Sequence, residues 1–600
     1  MKSITRIFDL LELYKDEYKS KQDAFSFKTN GRWQNYSSGD YITNCNLVSL
    51  GLLSLGIKKG DRIATIMVNC PEWNFFDMGI MQTGAVQVPV YPTISEDNYR
   101  YILKDAGIEY LIISNQEIFQ RVSNILKESD TIKEVFSIEM IPGVRNWKEI
   151  LELGRNFAHP DLLETIKNSI GPHDLVSLIY TSGTTGRPKG VMLSHNNFVS
   201  NFRALAKIHI LKPGYRAMSF LPLCHVYERT TGYVYQSYGV SIYYVQDIDK
   251  LGEYILEIKP NLFATVPRVL EKIYNRIVMK GRSLPLIPKI IFFWALRQGH
   301  KFEMDHRNGW FYDVKLFVAN VLIFSKWRKA LGGEIRLMVC GSASLHPRLT
   351  RIFWAARMPV YEAYGLTETS PGISSNYQGK GGTSFGTVGR VLSGVQVKIA
   401  GDGEILVKGP NVMISYFNRP EKTREVMDEE GWFHTGDIGI LENDVFLRIT
   451  DRKKEIFKLS TGKYIAPHTI EQVLKQSPFI EHIMVIGENR QCTGALIIPN
   501  FEYLKNWCAV KHIGFSSKEK AILNPRIIIR FGQEVERFNQ DLGRTEKIKK
   551  FRLLSDDWSM ESWELSPTLK LRRKFILEKY DQVIEETYRS TEFNYKVEIN

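Results

Sequence analysis

Cysteine is scarce in this chain. Six are spread over 600 residues, at Cys45, Cys70, Cys224, Cys340, Cys492 and Cys508, and none forms a C-x-x-C pair. That is too few for a disulfide framework, and reduced thiols of a cytosolic protein are expected. Long apolar runs are missing as well: none approaches the roughly 18 residues that span a bilayer. The chain is therefore expected to be soluble or peripheral to a membrane. Its opening stretch, MKSITRIFDLLELYKDEY, sets Ile4, Ile7, Phe8, Leu11 and Tyr14 at the spacing of an amphipathic helix, and Asp9 and Glu12 interrupt any secretory core. Internal repeats and low-complexity tracts are absent. So are the basic repeats interleaved with aromatics that mark a nucleic-acid reader. The net charge of +13 then points to other anions, nucleotides and anionic lipid among them, and no nucleic-acid partner is expected.

What is present is a globular composition, 44% hydrophobic and 24% charged, in a chain too long for one core. Residues 40–115 alternate helical and strand patterns. DRIATIMV, AVQVPV and YLIIS read as strands, separated by PEWNFFDMGIMQTG, opened by proline, and by SEDNYRYILKDAG, capped by Ser95. Such a β-α-β-α-β run implies a parallel sheet with helices on its faces. A second alternation runs from residue 180 to MPVYEAYG. After residue 385 short strands with Gly/Asp turns imply a β-rich subdomain, and from Asp451 the chain is strongly charged and of mixed character. Between 285 and 330 lie two long, aromatic and basic helical segments. Packing in the core is the reading taken for them, with a membrane-surface patch as the alternative.

Tyr180–Gly190 reads YTSGTTGRPKG, with LVSLI before it and VML after. Hydroxyls and glycines leave backbone N–H groups bare, and a lysine adds positive charge, which is the chemistry of a phosphate cradle. A Walker A loop needs Gly-Lys followed by Ser or Thr. Here Lys189 stands between Pro188 and Gly190, so that reading fails, and no G-x-G-x-x-G follows a strand to support a dinucleotide site.

Four further stretches follow in order: YGLTETSP at Tyr364–Pro371, GWFHTGDIG at Gly431–Gly439, ITDRKKEIFKLSTGKYIAP at Ile449–Pro467 and LSPTLKLRRK at Leu565–Lys574. With the opening loop, this set resembles the signature of the AMP-forming adenylate-forming superfamily, which includes acyl-CoA synthetases, luciferases and peptide-synthetase adenylation domains. The resemblance covers essentially the whole chain. It implies an α/β fold, with a large N-terminal domain of stacked αβ layers plus a β-rich subdomain over 1–449, and a small mobile α+β domain over 450–600.

The resemblance also implies roles. Thr181, Ser182, Gly183, Thr184, Thr185, Gly186 and Lys189 would hold the β- and γ-phosphates of ATP, and Thr181 and Glu368 would contact Mg²⁺. Tyr364 would stack on adenine, with Gly341, Glu362, Ala363, Gly365 and Thr367 around it, and Asp437 would accept the ribose hydroxyls. Arg452 would reach ribose or phosphate, Lys454 would be the hinge, and Gly462 would lie beside the pantetheine of CoA. Lys570 would contact the α-phosphate and the carboxylate; many relatives have Gly-Lys there, whereas this chain has Leu569–Lys570. The chemistry suits such a set. A carboxylate is a poor acyl donor, and joining it to the α-phosphate of ATP brings two anions together, so charge stabilisation dominates.

Three features resemble the long-chain fatty acyl-CoA synthetases in particular: LPLCHVYER at Leu221–Arg229, VPRVLEKIY at Val266–Tyr274 with the helical insertion after it, and the chain's C-terminal segment from LNPRIIIRFGQEVERFN. His225 would then lie near the acyl carboxylate. The expected reaction joins a fatty acid to CoA with ATP. The alternatives are a fatty acyl-AMP ligase that loads a carrier protein and a non-catalytic nucleotide-binding adaptor. A cytoplasmic location, with peripheral contact at the inner face of a membrane, completes the expectation.

Overall fold

The computed structural model describes residues 4–181, 187–560, 562–566 and 570–589. The chain forms two compact units. The first comprises Met1–Lys398, Leu406–His434 and Glu442–Leu447; the second comprises Ile399–Ile405, Thr435–Leu441 and Arg448–Asn600.

The first unit is built on two sheets with helices packed against them. In one, the strands Arg62–Ile66, Val86–Val90, Tyr110–Ile113 and Glu134–Ser137 are parallel, with Ala64 opposite both Val88 and Leu111. The central strands Arg62–Ile66 and Val86–Val90 are rich in Val, Ile and Thr and buried on both faces, as helices on either side of a parallel sheet require. Leu175–Thr181 continues this sheet, and Lys189–Ser194 runs antiparallel beside it. The other sheet carries Leu262–Thr265, Leu337–Cys340 and Val360–Gly365 as parallel neighbours, followed by antiparallel Gly372–Ser375.

Three segments take definite places in the folded chain. The opening residues Ile4, Ile7, Phe8, Leu11 and Tyr14 are all buried, and so are Leu10 and Leu13. Thr5, Lys15 and Asp16 on the same stretch are exposed, so the segment is amphipathic as its spacing predicts. The region after residue 385 is rich in short strands, as expected, and two of them extend the sheets of the first unit. Arg390–Val391 pairs with Gly372–Ser375, whereas Ser415–Tyr416 pairs with Lys189–Ser194 in the other sheet. Core packing describes only one side of the 285–330 helices: Phe292, Phe324 and Trp327 are buried, but Trp310, Phe311 and Phe317 are exposed to solvent.

The second unit has a small sheet in which Ile480–Ile486 runs antiparallel to Gly494–Pro499, with Lys550–Leu553 parallel on the far edge. Met484, Leu496, Trp558, Leu565 and Ile576 form its core. All six cysteines of the chain are free.

Candidate functional site

Two antiparallel strands flank the YTSGTTGRPKG stretch. Strands Leu175–Thr181 and Lys189–Ser194 pair so that Thr181 faces Lys189 in the last rung. Ser182, Gly183, Thr184, Thr185 and Gly186 lie outside the described residues. Gly190 sits opposite Tyr180, where a Cβ would come within 2.7 Å of Leu178 Cδ1 and 3.1 Å of Tyr180 Cζ. A side chain there would have to displace the Leu178 and Tyr180 side chains.

Lys189 is not left to solvent. Its Nζ lies 4.6 Å from the centroid of the Tyr416 ring, a cation–π contact. The Tyr416 hydroxyl donates a 2.8 Å hydrogen bond to Glu368 Oε1. Burial, then the Glu368 charge, pushes the Tyr416 phenol far above its usual range, so it remains a donor. Thus Lys189 and Glu368, 179 positions apart, are linked through one tyrosine, and Thr181 is the strand partner of Lys189. Tyr416 carries no motif signal of its own. It is placed by strand Ser415–Tyr416, which puts it opposite Val191, two residues beyond Lys189.

Glu368 stands in the short turn Thr367–Thr369 that follows strand Val360–Gly365. The turn is held by Thr369 Oγ1, which donates to Pro371 O at 2.6 Å, and by Asn411 Nδ2, which donates to Thr369 O at 3.1 Å. Met413 N–H donates to the Glu368 carbonyl at 2.8 Å. Gly365 allows the chain to fold back here, since a Cβ would overlap Pro371 O at 1.8 Å. On the strand, alternation puts Glu362 and Tyr364 on one side and Ala363 on the other. Tyr364 is buried. Glu362 accepts from Thr350 Oγ1 at 3.0 Å, and its burial pushes the carboxyl up to about 8.

Gly341 follows strand Leu337–Cys340, and its N–H donates to Thr265 O at 3.1 Å. A Cβ on Gly341 would come 3.2 Å from Tyr227 Cζ. Tyr227 belongs to the helix Val226–Ser237, whose N-cap is His225. His225 Nδ1 accepts the Tyr227 N–H at 3.1 Å, which leaves Nε2 to carry the ring proton of the neutral tautomer. The rest of the LPLCHVYER stretch is structural. Arg229 is buried and donates to Asp77 at 2.6 Å, Gln87 at 2.7 Å and Ser177 at 2.7 Å, tying helix to sheet.

The second unit holds the remaining candidates. Asp437 is buried on strand Phe433–Glu442, and Arg452 Nε meets its Oδ1 at 3.0 Å. The predicted ribose acceptor and phosphate contact are therefore already an ion pair. Lys453 is anchored to Glu404 at 2.8 Å and to Asp402 at 2.6 Å, while Lys454 beside it stands exposed in a turn. Gly462 has φ +84° in the turn between Phe457–Lys458 and Tyr464–Ile465. Its left-handed backbone alone accounts for a glycine there. Lys570 is half-buried and bonded to Ser566: its N–H donates to Ser566 Oγ at 3.0 Å and its carbonyl accepts the Ser566 N–H at 2.8 Å. Three residues on, Arg573 is locked to Glu471 at 2.5 Å and donates to Val485 O at 2.5 Å.

A family model for AMP-binding enzymes matches residues 15–417, and one for the AMP-binding enzyme C-terminal domain matches 454–592. The chain is 33% identical to the long-chain-fatty-acid–CoA ligase FadD15 of Mycobacterium bovis, over 93% of both chains. It is 30% identical to the long-chain-fatty-acid–CoA ligase ACSBG2 of Xenopus laevis, covering 94% of this chain and 81% of that one. Among solved structures, the adenylation domain of a carboxylic acid reductase from Segniliparus rugosus superposes with TM-score 0.75 at 19% identity, covering 97% and 94% of the two chains. The anthranilate CoA ligase AuaEII gives TM-score 0.71 at 18% identity, covering 97% and 98%. The fold agrees, both family models match, and the sequence likeness runs nearly end to end: this chain belongs to the AMP-binding enzyme family.

Proposed function

We propose that this chain is a long-chain fatty acid–CoA ligase that works through an acyl-adenylate, with an adenylating domain over 1–449 and a mobile domain over 450–600. In the first half-reaction a carboxylate oxygen attacks the α-phosphorus of ATP, the bond to the bridging oxygen breaks, and pyrophosphate leaves with the electron pair. In the second, the CoA thiol gives up its proton and attacks the acyl carbon, and AMP departs.

Lys189 and the N–H groups and hydroxyls of its loop bind the β- and γ-phosphates. Tyr364 and its neighbours hold adenine, Asp437 and Arg452 hold ribose and phosphate, and Lys570 balances charge where carboxylate and α-phosphate meet. Lys454 is the hinge, and Gly462 stands beside the pantetheine. His225 orients the acyl carboxylate through Nε2. The donor set suits Mg²⁺ carried in on ATP. No group of three or more His, Cys, Asp or Glu side chains that could cage a metal occurs among the described residues. Mg²⁺ commonly takes one or two carboxylates and completes its shell with water and phosphate. Thr181 and Glu368 would hold it, and when bound it neutralises charge on the departing pyrophosphate.

The observation that carries the reading is the Lys189–Tyr416–Glu368 chain at the mouth of the loop. It stands in a protein alike over 93% of its length to an enzyme named for this reaction. The test is ATP–pyrophosphate exchange across acids from acetate to oleate, followed by addition of CoA. Exchange that rises with chain length, and release of acyl-CoA, is the expected outcome. Exchange without acyl-CoA would assign the acyl group to a carrier protein. No exchange with any acid would make the chain a nucleotide-binding adaptor. Peripheral membrane contact from the cytoplasm belongs to the same proposal, since the substrate is itself a lipid. Among the described residues no helix is long and apolar enough to cross a bilayer.

A further inference from the structure

Helix Trp310–Ala319 continues through Asn320–Phe324 and Ser325–Ala330 without a break. Its inner side is fastened to the first unit. Asn320 Nδ2 donates to Ala355 O at 2.9 Å, and Arg328 Nη1 donates to Asn320 Oδ1 at 2.8 Å and to Ala356 O at 2.9 Å. The outer side is apolar and uncovered. Trp310 and Phe311 are each 66% exposed and Phe317 is 60% exposed, with Val314, Val321 and Leu322 beside them. At 100° per residue these six occupy an arc of roughly 140°. They form one continuous stripe, not scattered surface residues. The companion helix Leu286–His300 runs alongside it, with Phe292 6.2 Å from Trp327 and Gln298 O accepting from Tyr312 at 2.8 Å. Its first turn exposes Leu286, Ile287 and Ile290.

A large exposed apolar face marks an interaction surface. Charge chooses the partner. Between 286 and 330 the sequence has eight lysines and arginines against three carboxylates. Two copies meeting through this face would bring like charges together. Lys289, Lys315, Lys326 and Lys329 next to tryptophan and phenylalanine instead suit an interface where anionic headgroups border hydrocarbon. We infer that the outer face of the 286–300 and 310–330 helices docks on an anionic lipid bilayer. This rests on the reading above of a peripheral protein with a lipid substrate, and it adds the surface and the lipid charge. Trp310 and Phe311, stacked with ring centroids 3.7 Å apart, would enter the boundary first.

The test uses the full-length protein sedimented with vesicles of phosphatidylglycerol and phosphatidylcholine, or of phosphatidylcholine alone. Binding to the anionic vesicles, at least tenfold weaker on neutral ones and weakened by salt, is expected. The triple substitution Trp310→Ser, Phe311→Ser and Phe317→Ser should lower that binding at least tenfold. Its melting temperature should be unchanged, since these side chains are already in water. Equal binding by the variant, or no binding by the parent at low salt, would overturn the inference. So would a dimer that this substitution dissolves, in a protein that ignores vesicles. Ligation of a soluble fatty acid, measured without vesicles, should be the same in both proteins. If that activity is absent while vesicle binding persists, the reaction is misassigned and the docking surface stands.

Discussion

Tyr416 is the side chain on which the first unit's site depends. Its ring holds the Lys189 ammonium by a cation–π contact, and its hydroxyl donates to Glu368. Tyr416→Phe keeps the ring and removes the donor. A hydrogen bond to a charged group contributes about 1.5–3 kcal/mol, so the KM for magnesium–ATP should rise roughly tenfold or more in a steady-state assay. An unchanged KM would mean that Glu368 needs no holding. Lys570 is tested differently, because its proposed contact belongs to one half-reaction. Lys570→Ala should slow pyrophosphate exchange by about two to three orders of magnitude. Conversion of supplied acyl-adenylate to thioester should be nearly untouched. Equal loss in both assays would end that assignment.

At the scale of elements, the proposed hinge segment shows how anchored and unanchored residues alternate. Lys453 is pinned by Glu404 and Asp402, and its N–H donates to Gly436 O at 2.9 Å, whereas Lys454 projects from the turn. A backbone change at Lys454 therefore costs no buried contact. Proline would fix φ near −65°. Lys454→Pro should leave adenylate formation within a fewfold of the parent and lower thioester formation at least a hundredfold, read by quenching each half-reaction separately. The helices of 285–330 teach the opposite lesson. Their aromatic run announces burial, and no periodicity states whether the cover is protein or lipid.

For the whole molecule, buried titratable groups set the dependence of stability on pH. In the first unit, burial lowers His195 and His300 to about 3 and His209 and His346 to about 4. Ile7 N–H donates to His195 Nδ1 at 3.2 Å, so protonation would break that bond. Unfolded histidines take protons near 6.5. Below that pH the unfolded chain binds more protons than the folded one, and stability falls by at most about 1.4 kcal/mol per pH unit for each histidine. Burial acts in the other direction on Glu228 and Glu362, both raised to about 8. The folded chain holds these protons between about 4.5 and 8, so stability declines as pH rises through that range. Four histidines outweigh two carboxyls on the acid side. The melting temperature should therefore peak near pH 6.5 and fall at comparable rates toward pH 4.5 and toward pH 8. Scanning calorimetry over that range checks it, and Glu228→Gln should flatten the alkaline decline.

The sequence by itself determined the parallel sheets, because strands buried on both faces must be apolar and the helices between them must be capped. It also carried the family resemblance, through five motifs that follow one another in order along the chain. The tertiary structure decided what meets what. Tyr416 joins Lys189 to Glu368 only because a two-residue strand pairs with Lys189–Ser194. Asp437 and Arg452 pair because neighbouring strands bring them to 3.0 Å. The apolar stripe on 310–322 faces water because its other side is occupied. Contacts between distant positions follow from packing, and no local pattern of residues encodes them.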